Sequence, residues 1–572
     1  MLINRAGDLL LTFVRNLYNP NVHLILIGKI LKAIKNNFNT RQHLKKTGKH
    51  IIFAMALTLS YQANAVQLTF DNPKISGYVD TTISFSAAVA LKNSNSKNTP
   101  SSSGRQKVFD GSGDVYSVPL SVLSDIGINY RDMGFFTRVG YTYDFVLRDG
   151  ANKCSLGSCN ENAVAGTMDG ISGDSREEAN RFRLYDFFAY KNFDVNGNSL
   201  NVRVGKQVMN WGESNFAGGG ITQMINPVDL GKSTTPGSEI KERLLPQEMV
   251  YANYELSDTT SLEAFYIWNW RRTEFMPVGT FFSPFDFQGE GDNAKLGDTT
   301  NVSSDNPERG GQFGISMHTI LENFDEMDLG FYYTRTHAHL PYMQAFTNNT
   351  YRTVYAEGQD TYAVSLNGEV GSTGISFQTE LNYKPDFFDT RGCRNGHGLS
   401  SPTKFPDTTP KKGCGIEAAD VTTLLGAFTY VGGKPLFGAN KQAYILDMAA
   451  VWIDGLDGNY SDTMRPHADG VDQLDRPIND FAFGYTAVAS YTYNNLFWNL
   501  NVNPVFVFRH DVEGRMPFNN GAITEDQRVV KVGVTFDYQS TMSLNIAATK
   551  WISEDGTFGD RDNVAATFKY SF

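Results

Sequence analysis

The last ten residues of the chain alternate strictly between two kinds of side chain. In Asn563–Phe572 (NVAATFKYSF) one face carries the larger apolar residues, Val564, Ala566, Phe568, Tyr570 and Phe572. A period of two is that of a β-strand, and about ten residues is the length that a tilted strand needs to cross a bilayer. The pattern therefore favours a strand with one lipid-facing and one polar face.

The same alternation recurs along the chain, for example in Ile75–Leu91, Ser261–Arg272, Gln527–Tyr538 and Thr541–Thr549. Strands of a water-soluble sandwich also alternate. Here, however, the apolar faces end in aromatic residues, as at a membrane interface, and the opposite faces carry ions and amides. We predict an all-β fold: one transmembrane antiparallel β-barrel of roughly 16–20 strands, most simply about 18, with long extracellular loops.

Composition excludes several other classes of protein. The chain holds 40 Phe, 27 Tyr and 53 Gly, and the many aromatic residues argue against disorder. Long apolar runs of about 20 residues, which transmembrane helices require, are missing. The net charge is −11, and an acidic body argues against nucleic-acid binding.

The first 65 residues have a different character. Nine Lys and Arg face one acid there, and residues 41–65 place a basic cluster before the apolar run Ile51–Leu59 and the small-residue pattern Ala63–Ala65. This is the organisation of a secretory signal peptide. We predict cleavage after Ala65, export through the inner membrane, and a barrel of residues 66–572 in the bacterial outer membrane. Residues 1–40 are expected to reflect an over-long gene start.

Stretches without alternation are predicted to be loops, namely Lys92–Asp114, Arg148–Ala179, Phe285–Gly310 and Phe387–Ala418. The four cysteines lie in or beside them as two close pairs, Cys154 with Cys159 and Cys393 with Cys414. In an exported chain such pairs indicate loop disulfides. A metal site would need more ligands than the nearby His397 supplies, so we expect no metal.

One connection differs from the other loops. Residues 209–246 (MNWGESNFAGGGITQMINPVDLGKSTTPGSEIKERLLP) are less polar and contain ordered turn signals at Gly218–Gly220, Asn226–Asp229 and Pro236–Gly237. Ser238 is predicted to open a short helix. A long ordered connection is either a functional lid or inward-folded constriction, or a stiff loop packed on the rim. Both interpretations remain open at this stage.

Four elements of this connection carry a family resemblance: Trp211–Ser214 (WGES), Ile225–Leu230 (INPVDL), Pro236–Glu242 (PGSEIKE) and Leu244–Pro246 (LLP). With the first and last strands, they resemble a proteobacterial outer-membrane family known as domain of unknown function 1302. The resemblance covers the mature chain. It implies an outer-membrane channel, with a periplasm-facing outer-membrane lipoprotein and a resistance-nodulation-division-type permease as possible partners beside membrane lipid. It also implies apolar solutes such as steroids and hydrocarbons.

Enzyme motifs are missing from the sequence. It has no G-x-S-x-G, H-E-x-x-H, Walker loop or C-x-x-C. His510–Asp511 is predicted to end a strand, and His337 and His339 are interpreted as interface or lumen residues. We therefore expect neither catalysis nor a cofactor.

Charged residues also fall on the predicted lumen face. Arg181, Arg183 and Arg203 occupy polar positions of two successive strands, and Glu263 and Arg271 do so on a later strand. Such charges either bias permeation by a transverse field or form salt bridges that stiffen the barrel. Asp186 lies on the apolar side of its strand, so either the predicted phase of this strand is wrong or a β-bulge interrupts it.

The candidate substrate or constriction residues are Trp211, Glu213, Phe216, Asn226, Asp229, Lys241, Glu242, Arg183 and Arg203. We expect Trp211 and Phe216 to line an apolar path, and the polar residues of the connection to hold it in the lumen. The first hypothesis is a porin-like transport channel for small, largely apolar organic molecules. The alternatives are a general or ion-selective porin, and a structural barrel that docks the lipoprotein and permease.

Overall fold

The computed structural model describes residues 66–95, 108–150, 177–213, 219–277, 279–283, 295–296, 299–345, 350–393, 415–454, 460–461, 479–514, 523–553 and 558–572. The chain divides into two units, 1–63 and 64–572, and all described residues lie in the second. The predicted signal peptide with Ala65, and the cysteines Cys154, Cys159 and Cys414, lie outside the described residues. The two predicted disulfides therefore stay predictions.

Eighteen antiparallel strands form one closed barrel. They are β1 Ile75–Ala90, β2 Pro119–Tyr130, β3 Met133–Asp144, β4 Asn180–Val195, β5 Asn198–Gln207, β6 Gln247–Ser257, β7 Thr260–Asn269, β8 Gln312–Leu321, β9 Met327–Thr336, β10 Gln359–Glu369, β11 Ile375–Cys393, β12 Gly415–Val431, β13 Lys441–Asp454, β14 Phe481–Phe497, β15 Leu500–Glu513, β16 Arg528–Tyr538, β17 Met542–Ile552 and β18 Asn563–Ser571. Each strand pairs with the next, and β18 returns to β1 in a register from Ala90↔Asn563 to Thr82↔Ser571. The predicted fold and strand number are confirmed.

The alternation in the sequence separates an outer apolar surface from an inner polar one. On β8 the side chain of Ile315 is 53% exposed and that of its neighbour Ser316 only 2%. This is the reverse of a water-soluble protein, in which large apolar side chains are usually inside. It is the arrangement of a barrel whose outer surface faces lipid. Among the described residues, no helix has the length and apolar character that a membrane-crossing helix requires.

The connections differ in length between the two ends of the barrel. Short turns join strands at one end, such as Arg131–Asp132 and Asn196–Gly197, where positive φ angles at Arg131, Asn196 and Gly197 allow tight reversals. The longer connections, including residues 208–246 between β5 and β6, are all at the other end. In outer-membrane barrels the long loops face outward and the short turns face the periplasm.

Two predicted loop regions contain more strand than expected. Within Phe285–Gly310 the structure has strands Lys295–Leu296 and Thr299–Asp305, which join Tyr342–Ala345 and Thr350–Val354 in a small four-stranded sheet. This pairing is between distant connections, so local sequence did not indicate it. Within the loop predicted at Phe387–Ala418, residues 387–391 pair with residues 415–419, because the pairing of β11 with β12 continues beyond a register shift that follows Lys384.

A β-bulge is present in β4 beside Asp186. Thr137 pairs with Phe187 and Val139 with Leu184, so Tyr185 and Asp186 together oppose the single residue Arg138. Both bulged side chains are buried, and Arg138 Nη1 lies 3.0 Å from Asp186 Oδ2. The bulge thus turns an otherwise outward carboxylate toward the lumen.

Candidate functional site

We call Met209–Pro246 the lumen segment, because its described residues, 209–213 and 219–246, contact side chains on the inner wall. It contains helix α1, Ile221–Ile225, helix α2, Leu230–Thr234, and a 3-10 turn, Ile240–Glu242. The predicted residue Phe216 lies outside the described residues. The described residues of the segment pack against the inner wall, and their role as a constriction stays a prediction.

Ser238 does not open the short helix, contrary to the prediction. Glu239 caps the 3-10 turn in a reciprocal capping box, in which Glu239 N donates to Glu242 Oε2 at 2.8 Å and the Glu239 side chain accepts from the backbone of Glu242. A capping box satisfies two backbone donors at once, whereas a serine cap satisfies one. The hydroxyl of Ser238 has no hydrogen-bond partner.

The middle of the lumen segment is tied to its C-terminal end and to the stretch after β7. Leu245 N donates to Pro227 O at 2.8 Å, and Asp229 N donates to Arg243 O at 2.7 Å. On the other side, Glu274 N donates to Val228 O at 2.9 Å. Backbone hydrogen bonds on both flanks of residues 227–229 give the segment a sheet-like base, which explains why it is ordered.

A buried cluster of charges joins this base to β4. Arg183 Nη2 lies 3.2 Å from Asp229 Oδ2 and also contacts Glu274. Arg181 and Arg271 approach Glu274 at 3.1 and 2.7 Å. Burial alone would raise the pKa of Glu274, but the three guanidinium groups outweigh it and lower that pKa to about 2. Burial raises the pKa of Asp229, and Arg183 opposes this only in part.

A second group of charges fixes the 3-10 turn to β2 and β3. Lys241 Nζ lies 3.1 Å from Asp125 Oδ2, and Arg138 holds the same carboxylate through contacts of 2.7 and 2.9 Å. Lys232 Nζ lies 2.9 Å from Glu242 Oε1. Burial raises the pKa of Glu242, but Lys232 and the capping N–H lower it overall. The structure thus places Lys241 in contact with the wall and Glu242 in contact with Lys232 of the segment itself.

Trp211 anchors the segment and does not line an open path. Its side chain is 3% exposed and packs in a core cluster with the rings of Phe265 and Tyr332, at centroid distances of 4.9 and 5.9 Å. Trp211 Nε1 donates to Glu263 Oε2 at 2.6 Å. A buried indole needs such an acceptor, so the predicted lumen position of Glu263 explains how the ring is accommodated.

Asn226 closes the segment on itself. It is fully buried, and its amide accepts from Met209 N at 2.9 Å and donates to Met209 O and Thr222 O. Gly237 has a φ of +82°, and any side chain there would collide with Ser86 on β1. Asn226 is therefore needed for its hydrogen bonds, and Gly237 is needed because a side chain does not fit there.

The far wall, β10 and β11, holds the beginning of the segment. The carboxylate of Glu213 accepts from Asn367 Nδ2 at 2.7 Å and from Gln378 Nε2 at 2.9 Å. Glu380 in turn accepts from the backbone N–H groups of Glu213 and Ile221 at 2.7 and 2.8 Å. Sequence reasoning missed Glu380, although its strand carries a row of polar residues on the lumen side.

Three exposed side chains border the space that the segment leaves in the lumen. Two are on the segment and one is on the wall opposite. On its 3-10 turn, Ile240 is 75% exposed, and the adjacent Arg243 is also exposed. Lys531 on β16 is exposed between the outward residues Val530 and Val532, and the charge of Arg243 acts on it. The border of this space is therefore partly apolar and partly cationic.

Arg203 lies apart from these contacts. Its guanidinium is 5.1 Å from the ring centre of Tyr251 and 5.9 Å from that of Phe188, and its Nε donates to Asn201 Oδ1 at 3.0 Å. Arg183, by contrast, belongs to the charge cluster. The predicted row of basic residues is therefore divided: Arg183 helps to anchor the segment, whereas Arg203 packs against aromatic rings of the wall. Among the described residues, no group of three His, Cys, Asp or Glu side chains is placed to hold a metal ion.

His339 joins the lumen segment to the stretch after β7. Its Nδ1 lies 2.8 Å from Arg271 O and its Nε2 3.0 Å from Ile225 O. Burial lowers the pKa of His339 to about 4, against the opposing effect of the two carbonyl groups. A neutral imidazole donates to only one of them.

We expect His339 to make the barrel less stable as the pH falls from about 6.5 to 4. The unfolded chain binds a proton in this range and the folded chain does not, so up to about 3 kcal/mol of unfolding free energy is lost. Urea unfolding in lipid vesicles at pH 7 and pH 4 should show a smaller loss for His339→Gln than for wild type. His510→Gln, on the outer surface, is the control. Equal losses in all three proteins would contradict the prediction.

The fold and the site together define a β-barrel with an ordered connection that is anchored to its inner wall. Residues 46–572 match the model of a family described as protein of unknown function, DUF1302. The chain belongs to this family, which the sequence resemblance had indicated. No curated relative matches the chain.

Solved structures with a similar fold include three outer-membrane proteins. OccAB1 of Acinetobacter baumannii has 10% identity and a TM-score of 0.43, over 87% of this chain and 97% of its own. The outer membrane protein opdK of Pseudomonas aeruginosa has 9% identity and a TM-score of 0.40, over 87% and 98%. The outer membrane channel DcaP of Acinetobacter baumannii has 11% identity and a TM-score of 0.36, over 89% and 100%. The barrel assignment rests on this chain's own strand pairing.

Proposed function

We propose that the protein is an outer-membrane channel for small, largely apolar organic molecules, of the steroid or hydrocarbon kind, and that the lumen segment sets its selectivity. The observation that carries the proposal is an ordered connection that is anchored to β2–β4 and to β10–β11 and presents Ile240, 75% exposed, to the lumen. An exposed apolar side chain beside water is costly, and contact with an apolar solute would offset that cost.

Aromatic residues between the segment and the wall add support. A partly enclosed cavity of about 100 Å³ separates α2 from β3 and β4, and Tyr116, Phe275 and Phe282 line it. Ligand sites are mostly apolar clefts with a few placed polar groups. The aromatic part of the cavity's lining fits this description better than the wall of a wide aqueous pore does.

A second candidate function is an anion-selective porin. Arg243 and Lys531 are both exposed toward the same space, and their positive charges repel each other unless an anion lies between them. Rings of basic side chains favour anions in pores. The two functions make opposite predictions about conductance.

A docking role is the third candidate, with the outer-membrane lipoprotein and the permease as partners. Phe437 and Trp498, in short turns at the end assigned to the periplasm, are 78% and 85% exposed. Exposed aromatic side chains of this size are enriched at protein interfaces and at membrane interfaces. Copurification of a lipoprotein that is lost in Trp498→Ser would favour this role.

The test uses the mature barrel in vesicles with a lipopolysaccharide outer leaflet, which slows entry of apolar molecules. We expect naphthalene uptake, followed by fluorescence, to be several-fold faster than in protein-free vesicles. Ile240→Asp should remove most of the increase, and Ile315→Val on the outer surface should not. The same preparations are then examined for single-channel current in planar bilayers.

The outcomes separate the candidates. Fast naphthalene uptake with little ionic current supports the apolar channel. Large ohmic steps with an anion-selective reversal potential, and no effect on naphthalene, would replace it with the porin. If the barrel passes neither naphthalene nor ions, although its fold is intact by circular dichroism, the docking role is the remaining candidate.

A further inference from the structure

The cavity between the lumen segment and the wall is lined in part by acids, and these are already occupied. Asp144 accepts from Ser117 Oγ at 2.5 Å and from three backbone N–H groups. Glu274 is held by three arginines, and Asp229 accepts from Lys232 N at 2.8 Å as well as contacting Arg183. The carboxylates therefore have little capacity left to receive a donor from a ligand.

What the cavity can still offer a ligand is a hydrogen-bond donor. Arg183 also lines this cavity, and its side chain is 8% exposed. Its Nη2 is engaged by Asp229 and Glu274, while its Nη1 has no hydrogen-bond partner. A buried unsatisfied guanidinium N–H is costly. A ligand with an accepting oxygen would relieve this cost.

Aromatic rings also line the cavity. The rings of Tyr116 and Phe281 stack at a centroid distance of 4.1 Å with 9° between their planes. Phe282 stands edge-on to both, at 5.9 and 4.9 Å. Flat ligands gain from offset-stacked and edge-on contacts with such rings.

Size and charge narrow the ligand further. A closed cavity of roughly 150 Å³ accommodates benzene, so this smaller space of about 100 Å³ takes a single ring only because it is open on one side. The basic residues Arg181, Arg183 and Lys232 face the four acids Asp144, Glu178, Asp229 and Glu274. The ionic groups nearly balance, so they do not call for a charged ligand.

We propose that this cavity binds a small, uncharged aromatic molecule with one hydrogen-bond-accepting oxygen, such as an aryl ketone. The oxygen accepts from Arg183 Nη1, and the ring lies beside Phe282 and Tyr116. The inference rests on the proposed function and narrows its solute class, because the site lies in the half of the barrel that carries the long connections. A solute that enters from the end with the long connections would meet this site before the constriction.

Equilibrium dialysis of the mature barrel in lipid nanodiscs tests the site, with empty nanodiscs subtracted. Acetophenone and ethylbenzene form a matched pair that differ in the ketone oxygen. We expect acetophenone to bind about tenfold more tightly or better, the value of a hydrogen bond to a charged group. Arg183→Lys should abolish this preference, and Arg335→Lys, on the outer surface, should retain it.

Phe282→Leu provides a second variant that leaves the charge cluster intact. It should weaken both ligands while keeping the preference for the ketone. Equal binding of the two ligands to wild type, or an unchanged preference in Arg183→Lys, would overturn the proposal. Naphthalene uptake on the same preparations separates the two hypotheses: uptake without ketone binding removes only the site, and binding without uptake removes only the channel.

Discussion

Replacing residues 213–242 by a short Gly-Ser linker is expected to raise the single-channel conductance several-fold. The segment is held on both sides of the lumen, by Glu380 on β11 and by Asp125 on β2, so it occupies part of the cross-section. The barrel does not depend on it for closure, because β5 and β6 pair directly from Leu200↔Tyr254 to Gln207↔Gln247. The conductance of a water-filled pore follows its narrowest cross-section. Planar-bilayer recording measures the change.

The control for this deletion shortens a connection that does not enter the lumen. Residues 433–438, in the turn between β12 and β13, can be replaced by the same linker. This variant should conduct like wild type. If the deletion of 213–242 folds, as judged by circular dichroism, and its conductance is unchanged, the lumen segment is not the constriction.

The barrel could be predicted from the sequence because its signal is local. Each strand shows its two faces within about ten residues, as in β16, β17 and β18, and no knowledge of its neighbours is needed. Closure follows from the absence of a tolerated free edge in a membrane. The extra pairs between Thr299–Asp305 and Thr350–Val354 were missed because they join two connections far apart in sequence.

The composition of the site could be predicted only in part. The side chains of Glu213, Asp229 and Lys241 contact partners on remote strands, whereas those of Asn226 and Glu242 mainly contact the segment itself. Glu213 and Ile221 donate to Glu380 across 167 and 159 positions. Sequence periodicity does not reveal contacts between residues that are so far apart in the chain. The available signal was the polar row Gln378, Glu380, Asn382 and Lys384, whose spacing of two places all four side chains on the lumen side.

Trp211 shows why an aromatic residue in a lumen connection is ambiguous. Its flanking glycine and acids are compatible with a hydrated lining position, yet the ring fills a cluster with Met209, Ile221 and Ile225. Which outcome occurs depends on whether the wall opposite is apolar. Here Phe265 and Met249 on neighbouring strands provide the apolar surface, and Glu263 provides the acceptor.

Glu380→Gln is expected to release the beginning of the lumen segment. The carboxylate accepts from two backbone N–H groups and from Asn382 Nδ2 at 2.8 Å, and it is 1% exposed. An amide presents one oxygen and one donor, so at least one buried N–H loses its acceptor, at a cost of about 1–3 kcal/mol. The substitution also removes the negative charge nearest the buried ammonium of Lys384. We expect a total loss of about 3 kcal/mol of the segment's closed-state stability.

Two measurements detect this release without requiring the whole barrel to unfold. Trypsin should cleave after Lys232 at least tenfold faster in Glu380→Gln, because access needs local opening and each 1.4 kcal/mol changes its population tenfold. Single-channel current should fluctuate between the wild-type level and a higher one. Glu369→Gln is the matched control, since Glu369 is exposed in the same sheet and accepts only from Gly374 N among the hydrogen bonds described. Cleavage and current identical to those of wild type would mean that the charged anchors on β2 and β4 suffice, and that Glu380 only satisfies the backbone that lies over it.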